Sequence, residues 1–125
     1  MKSSSFWASL RYAISGVVYA LFSQRNMKIH LIATILVVIA GLFFGLNRVE
    51  WALITLTITA VWAAEILNSS VEEIVDLVSP QFDVRAGRAK NMGAGAVLTT
   101  AVGAVIIGIL IFVPRILCWL GGLSW

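Results

Sequence analysis

Acid is scarce in this chain. Its 125 residues include six Asp and Glu against nine Lys and Arg, and charged residues make up only 12% of the whole. So little charge cannot solvate the surface of an ordinary globular domain, which excludes that class. Cysteine is nearly absent: Cys118 stands alone, so no internal disulfide can form and no metal-ligand spacing exists. Proline is confined to Pro80 and Pro114. A phosphate-binding glycine loop is missing too. Gly93-Ala94-Gly95 has neither a third glycine nor a preceding strand, and reads as a packing segment. The opening Met1-Lys2-Ser3-Ser4-Ser5 lacks a short apolar core with a small-residue cleavage site behind it, so no cleaved signal peptide is expected. What fills the chain is apolar: 60% of positions, with a mean hydropathy of +0.96. These values mark a small integral membrane protein.

Residues 5–24 place Phe6, Leu10, Ala13, Val17 and Leu21 on one helical face and Arg11, Ser15 and Tyr19 on the other. This pattern predicts an amphipathic helix at the membrane surface, with Trp7, Tyr12 and Tyr19 at headgroup level. A weakly hydrophobic spanning helix is the other reading, opposed by Arg11. A polar, basic connector over Ser23–His30 follows, then a first spanning run from Leu31 to Leu46. Gly41 and Gly45 form a GxxxG pair that is close to chance in so apolar a run. Asn47–Glu50 is a minimal turn. The second span begins at Trp51, and its helix continues to Val78 because Pro80 follows. Ser79–Asn91 reads as a second basic loop. Met92–Val113 is the third span, ended or kinked at Pro114, with Trp119 and Trp125 suited to the interface. Ala96, Thr100, Ala104 and Gly108, beside Gly95, Thr99 and Gly103, give that span a small-residue stripe that a neighbouring helix can approach. The expected architecture is an all-α membrane protein in one domain: a surface helix over about 5–24 and transmembrane helices over about 28–46, 50–78 and 88–113.

Four of the six acids, Glu65, Glu72, Glu73 and Asp76, fall within residues 63–76. On a helix, Glu65, Asn68, Glu72 and Asp76 point to about 0°, −60°, −20° and +20°, with Glu73 further round at about +80°. Three carboxylates and an amide on one stripe of an apolar helix are costly to hold away from water unless paired or metal-bound. Basic residues set the sidedness. Lys2, Arg11, Arg25, Lys28, Arg85, Arg88 and Lys90 fall on one side of the three spans, and Arg48 and Arg115 on the other. That asymmetry places the N-terminus and the 79–91 segment in the cytoplasm. The acidic stripe then straddles the cytoplasmic membrane edge, facing Arg85, Arg88 and Lys90.

Glu72 there suits Mg²⁺, which takes one or two carboxylates plus phosphate oxygens and water. Lys and Arg suit phosphates, and a carboxylate near the hydrocarbon suits a general base for a lipid hydroxyl. On the residues alone, phosphoryl chemistry on a membrane lipid stands beside a second reading, a solvated helix end with a headgroup-binding basic loop. An ion-conducting oligomer built on the stripe is a third.

Glu65-Ile-Leu-Asn68-Ser-Ser-Val-Glu72-Glu-Ile-Val-Asp76, followed by Gly87-Arg88-Ala89-Lys90-Asn91-Met92-Gly93, resembles the bacterial integral-membrane diacylglycerol kinase and undecaprenol kinase family. Phe6 to Gly16 and Asn26-x-x-Ile29-His30 are similar to one branch of it. The resemblance implies an ATP- and Mg²⁺-dependent lipid kinase in the bacterial inner (cytoplasmic) membrane, multi-pass with a cytoplasmic N-terminus. It implies a homotrimer with active sites shared between subunits. Its partners are ATP and a lipid alcohol, undecaprenol or diacylglycerol, and no nucleic acid. By the same resemblance Glu65 is the general base and Glu72 the Mg²⁺ ligand, with Asn68, Asp76, Arg88, Lys90 and Asn91 at the nucleotide and its phosphates. Two positions depart from the family. Counted from Gly16, Gln24 stands where a glutamate usually serves as a second metal ligand, and Asn91 stands where aspartate usually follows the lysine. An amide oxygen at Gln24 can still coordinate Mg²⁺, without charge. The retained Glu65 and Glu72 favour a working kinase. The alternative is a degenerate, weakly active or non-catalytic nucleotide- or lipid-binding relative.

Overall fold

The computed structural model describes residues 5–122, so Lys2 and Trp125 lie outside the described residues. Four helices follow one another: α1 (Phe6–Ser23), α2 (Arg25–Phe44), α3 (Arg48–Val78) and α4 (Val84–Leu120), with no strand among the described residues. Ser5 opens α1 by accepting a hydrogen bond from the Ala8 N–H at 3.3 Å. Gln24 alone separates α1 from α2, with extended backbone at φ −103° and ψ 123°. The polar connector expected over Ser23–His30 is therefore one residue long. Arg25 to His30 hold neither glycine nor proline, so nothing there resists the helix.

Gly45 ends α2 in the left-handed region at φ 67°, a conformation that favours glycine. Asn47 then opens α3 with a capping box: its Oδ1 accepts the Glu50 N–H at 2.9 Å, and Glu50 Oε2 accepts the Asn47 N–H at 3.0 Å. The GxxxG pair thus divides its work. Gly45 is a helix stop, while Gly41 lies against Trp51, where a built Cβ would stand 2.6 Å from the ring.

A second difference from the sequence reading concerns the basic segment. Asp83 Oδ1 accepts the N–H groups of Arg85 at 2.7 Å and Ala86 at 3.3 Å, and this N-cap starts α4 at Val84. The loop expected to run to Asn91 is corrected to residues 79–83, and Arg85, Arg88 and Lys90 ride on the first turns of a helix. Of the two effects expected at Pro114, an end or a kink, the end is absent, since α4 continues to Leu120. The proline offers no N–H to the Leu110 carbonyl. One residue on, the Arg115 guanidinium donates to the Ile111 carbonyl at 3.0 Å, supplying a donor where the ring loosens the ladder.

Helices α2, α3 and α4 are each long and apolar enough to cross a membrane, and α1 is not among them. Their lengths of 20, 31 and 37 residues correspond to about 30, 46 and 55 Å, against a hydrocarbon core of about 30 Å. The chain is a multi-pass membrane protein, and α3 and α4 exceed the thickness they must cross. Large apolar residues such as Leu36, Leu56, Leu98 and Leu110 face outward, where lipid takes the place of water. Helices α3 and α4 run antiparallel, tied near one end by Arg115 to Glu50 at 2.6 Å and near the other by Lys90 to Asp76. The buried core of Leu46, Ile54 and Ile111 lies towards the Glu50 end. Towards the other end, between α1, α2 and α4, α3 buries polar groups instead: Glu65, Asn68 and Ser69.

Candidate active site

The helical register of α3 brings Glu65, Asn68 and Glu72 together as three successive steps of one face. Glu65 is 2% exposed and Asn68 6% exposed, which with Ser69 makes them the buried polar residues among the described ones. Asn68 Nδ2 donates to Glu72 Oε1 at 3.3 Å, and the Ser69 hydroxyl donates to the Glu65 carbonyl at 2.9 Å. Two buried oxygens have no hydrogen-bond partner: Glu65 Oε2 and Asn68 Oδ1. From α2, His30 approaches with Nε2 at 3.5 Å from Glu65 Oε2. Glu65, Asn68, Glu72 and His30 line a cleft of about 330 Å³ with Asn26, Val97 and Ala101. The wall behind Asn68 is Gly93, since a Cβ there would collide with Asn68 Oδ1 and stand 3.4 Å from its Cγ.

Beyond this cleft, at the turn between α3 and α4, Asp76 and Lys90 face each other in a second recess of about 240 Å³ with Pro80, Phe82 and Gly87. Lys90 Nζ donates to Asp76 Oδ1. Both side chains are substantially exposed, at 40% and 66%. Such surface pairs are worth at most about 1 kcal/mol, so the ammonium can exchange its partner for a phosphate oxygen.

Three other expected positions lie elsewhere in the protomer. Gln24 sits on a different flank of α3, in a recess of about 160 Å³ with Tyr19, Ser69, Ser70 and Glu73. Arg88 and Asn91 are exposed and line neither the Glu65 cleft nor the Asp76 recess. Conversely, the cleft contains groups that the acidic stripe alone does not reveal. Asn26 and His30 are four apart on α2 and so share a face, a spacing that marks them as a pair. Gly93 has no comparable signal, because its reason is the depth of Asn68 on another helix. Among the described residues no three of His, Cys, Asp and Glu gather as a metal cluster. Glu72 nevertheless offers a hard carboxylate oxygen at the cleft, the kind of single ligand that fits Mg²⁺ completed by phosphate oxygens and water, while Asn68 turns its amide nitrogen to Glu72 and its oxygen to Gly93.

The site thus holds a buried carboxylate at the base of a cleft, a second one beside an amide, and a lysine one recess further out. Residues 11–112 match the model of the prokaryotic diacylglycerol kinase family. The chain is 36% identical over 111 residues to the undecaprenol kinase of Bacillus subtilis, covering 89% of this chain and 90% of that one. It is 39% identical over 110 residues to a diacylglycerol kinase of Synechocystis sp., covering 87% of this chain and 63% of that longer one. It is 30% identical over 95 residues to the diacylglycerol kinase of Escherichia coli, covering 76% and 78%. With most of its length matched, the chain belongs to the prokaryotic diacylglycerol kinase family, as a lipid kinase that crosses the membrane.

Proposed function

We propose that this kinase transfers the γ-phosphoryl group of ATP to the hydroxyl of a membrane lipid alcohol, undecaprenol or diacylglycerol, in a Mg²⁺-dependent reaction at the cytoplasmic face. One observation carries this reading above the others: Glu65 is buried at the base of the cleft with a carboxylate that accepts no hydrogen bond, one turn from Asn68 and two from Glu72. A carboxylate left unengaged in a partly apolar cleft is the acceptor that a lipid hydroxyl requires. The hydroxyl proton passes to Glu65 as the lipid oxygen bonds to the γ-phosphorus. The bond from that phosphorus to the ADP oxygen breaks, leaving lipid phosphate, ADP and a protonated Glu65. Mg²⁺, held by Glu72, would supply charge neutralisation on the β- and γ-phosphates, with Asn68 fixing the Glu72 carboxylate through its amide nitrogen. Lys90 leaves Asp76 to meet the phosphates, Asp76 stays at the outer rim, and Arg88 and Asn91, exposed on α4 outside that recess, would meet the rest of the nucleotide from solvent.

Sidedness and assembly belong to the same reading. The basic residues cluster at the end that holds the cleft, which supports a cytoplasmic site and N-terminus in the bacterial inner membrane. Gly95 and Gly103 of α4, which share one side of the helix, are uncovered, with nothing within 4 Å of a built Cβ. A strip of this kind accommodates the close approach of another subunit, which supports a homotrimer. In a trimer a neighbour can bring the Gln24 flank of one subunit to the cleft of another.

The test is phosphate transfer from ATP by purified protein in mixed micelles, with undecaprenol and diacylglycerol in separate arms and Mg²⁺ varied. Mg²⁺-dependent transfer to one acceptor or both is the expected result, and no transfer to either contradicts the proposal. Gly93→Ala is expected to push Asn68 out of place and lower kcat about a hundredfold, the scale of a small misplacement in a catalytic site. Initial rates alongside a thermal melt check this, because the melt should stay near that of the unsubstituted protein.

A further inference from the structure

We propose that His30 is the positioning residue of Glu65, holding the base through its buried oxygen and so fixing which oxygen meets the lipid hydroxyl. The proposal rests on the lipid-kinase mechanism above and adds to it a residue from another helix. Glu65 Oε2 is buried and has no hydrogen-bond partner. A bare carboxylate oxygen in the interior is unfavourable and calls for a donor. The basic group that reaches it is His30 Nε2, at 3.5 Å. The walls supply no other basic group. Helix α4 lines the cleft with apolar residues such as Ala94 and Val97, α3 adds Asn68 and Glu72, and α2 adds the neutral amide of Asn26 one turn before His30. Lys90 is engaged by Asp76 in the next recess.

The gap of 3.5 Å lies slightly beyond hydrogen-bond length. A small rotation of either side chain closes it, as contacts between a base and its orienting group commonly tighten once substrate is bound. Position strengthens the assignment. His30 also lines the apolar cleft beneath, about 180 Å³ among residues such as Val37, Ile58 and Phe112. The imidazole thus stands at the boundary of the polar and apolar clefts, where the hydroxyl end of a lipid alcohol parts from its chain. With Nε2–H donating to Oε2, the other carboxylate oxygen is turned towards that hydroxyl, and the ring blocks rotation of the base.

Two substitutions separate positioning from packing. His30→Gln keeps a donor near the place of Nε2, whereas His30→Leu fills the volume without one. In the micelle assay, with undecaprenol and diacylglycerol as acceptors, His30→Leu is expected to lower kcat about ten- to a hundredfold, the worth of one hydrogen bond to a charged group. KM for ATP should hardly change, and His30→Gln should restore most of the rate. Equal rates in the two variants, or an effect on KM alone, overturn the positioning role while leaving the kinase reading standing. An unsubstituted protein that transfers no phosphate to either acceptor overturns that reading and this proposal with it.

Discussion

Glu65→Gln is expected to reduce phosphate transfer by about 10²–10⁴-fold, the contribution of a general base. The substitution keeps the shape of a side chain that is 2% exposed, so the fold and its assembly should survive it. The amide can still accept a hydrogen bond from His30, but it cannot take the proton of the lipid hydroxyl. The loss should therefore fall on kcat, with KM for ATP nearly constant, because Glu65 meets the acceptor rather than the nucleotide. Initial rates at saturating ATP, with a melting curve and size-exclusion profile of the same preparation, check the claim. Transfer at an unchanged rate would remove Glu65 from the mechanism.

Glu72→Gln should produce a large loss of a different character. Glu72 accepts a hydrogen bond from Asn68 at 3.3 Å, and a glutamine there can keep that contact through its own amide oxygen. What disappears is one negative charge from a site with few of them. Mg²⁺ affinity depends on ligand charge, so the Mg²⁺ concentration for half-maximal rate should rise about tenfold. The maximal rate should fall about a hundredfold as charge on the transferring phosphoryl group loses its support. A Mg²⁺ titration at fixed ATP and acceptor separates the two effects. A loss of rate with an unaltered Mg²⁺ requirement would move Glu72 from metal binding to some other role.

The contrast between these two variants reflects how much of the site one helix encodes. Glu65, Asn68 and Glu72 lie at spacings of three and four, so their meeting on one face follows from the α-helical repeat alone. The four-helix, membrane-spanning architecture was equally legible, because three long apolar runs admit few alternatives. Local boundaries were less so. Reading the basic segment as a loop gave weight to its charge, whereas Asp83 decided the matter by capping two N–H groups in the first turn of α4. Pro114 has a similar lesson: its effect on the helix depends on Arg115, which serves the Ile111 carbonyl and Glu50 together. The contributions of His30 and Gly93 were hidden for another reason. Each matters through a residue on α3, and contact between helices far apart in sequence is not a periodicity. Gln24 and Asn91 drew attention as missing carboxylates, yet in the protomer both lie away from the Glu65 cleft.

The central claim is a division of labour along α3, in which Glu65 serves the acceptor and Glu72 the metal and nucleotide. It is tested most directly by binding rather than by rate. Mn²⁺ can stand in for Mg²⁺ and reports its bound state by electron paramagnetic resonance, so its affinity in the presence of ATP can be measured for the unsubstituted protein, Glu65→Gln and Glu72→Gln. The account predicts unchanged affinity for Glu65→Gln and about tenfold weaker binding for Glu72→Gln, the consequence of one lost ligand charge. Equal affinity in all three proteins, or weakening by Glu65→Gln alone, would contradict it.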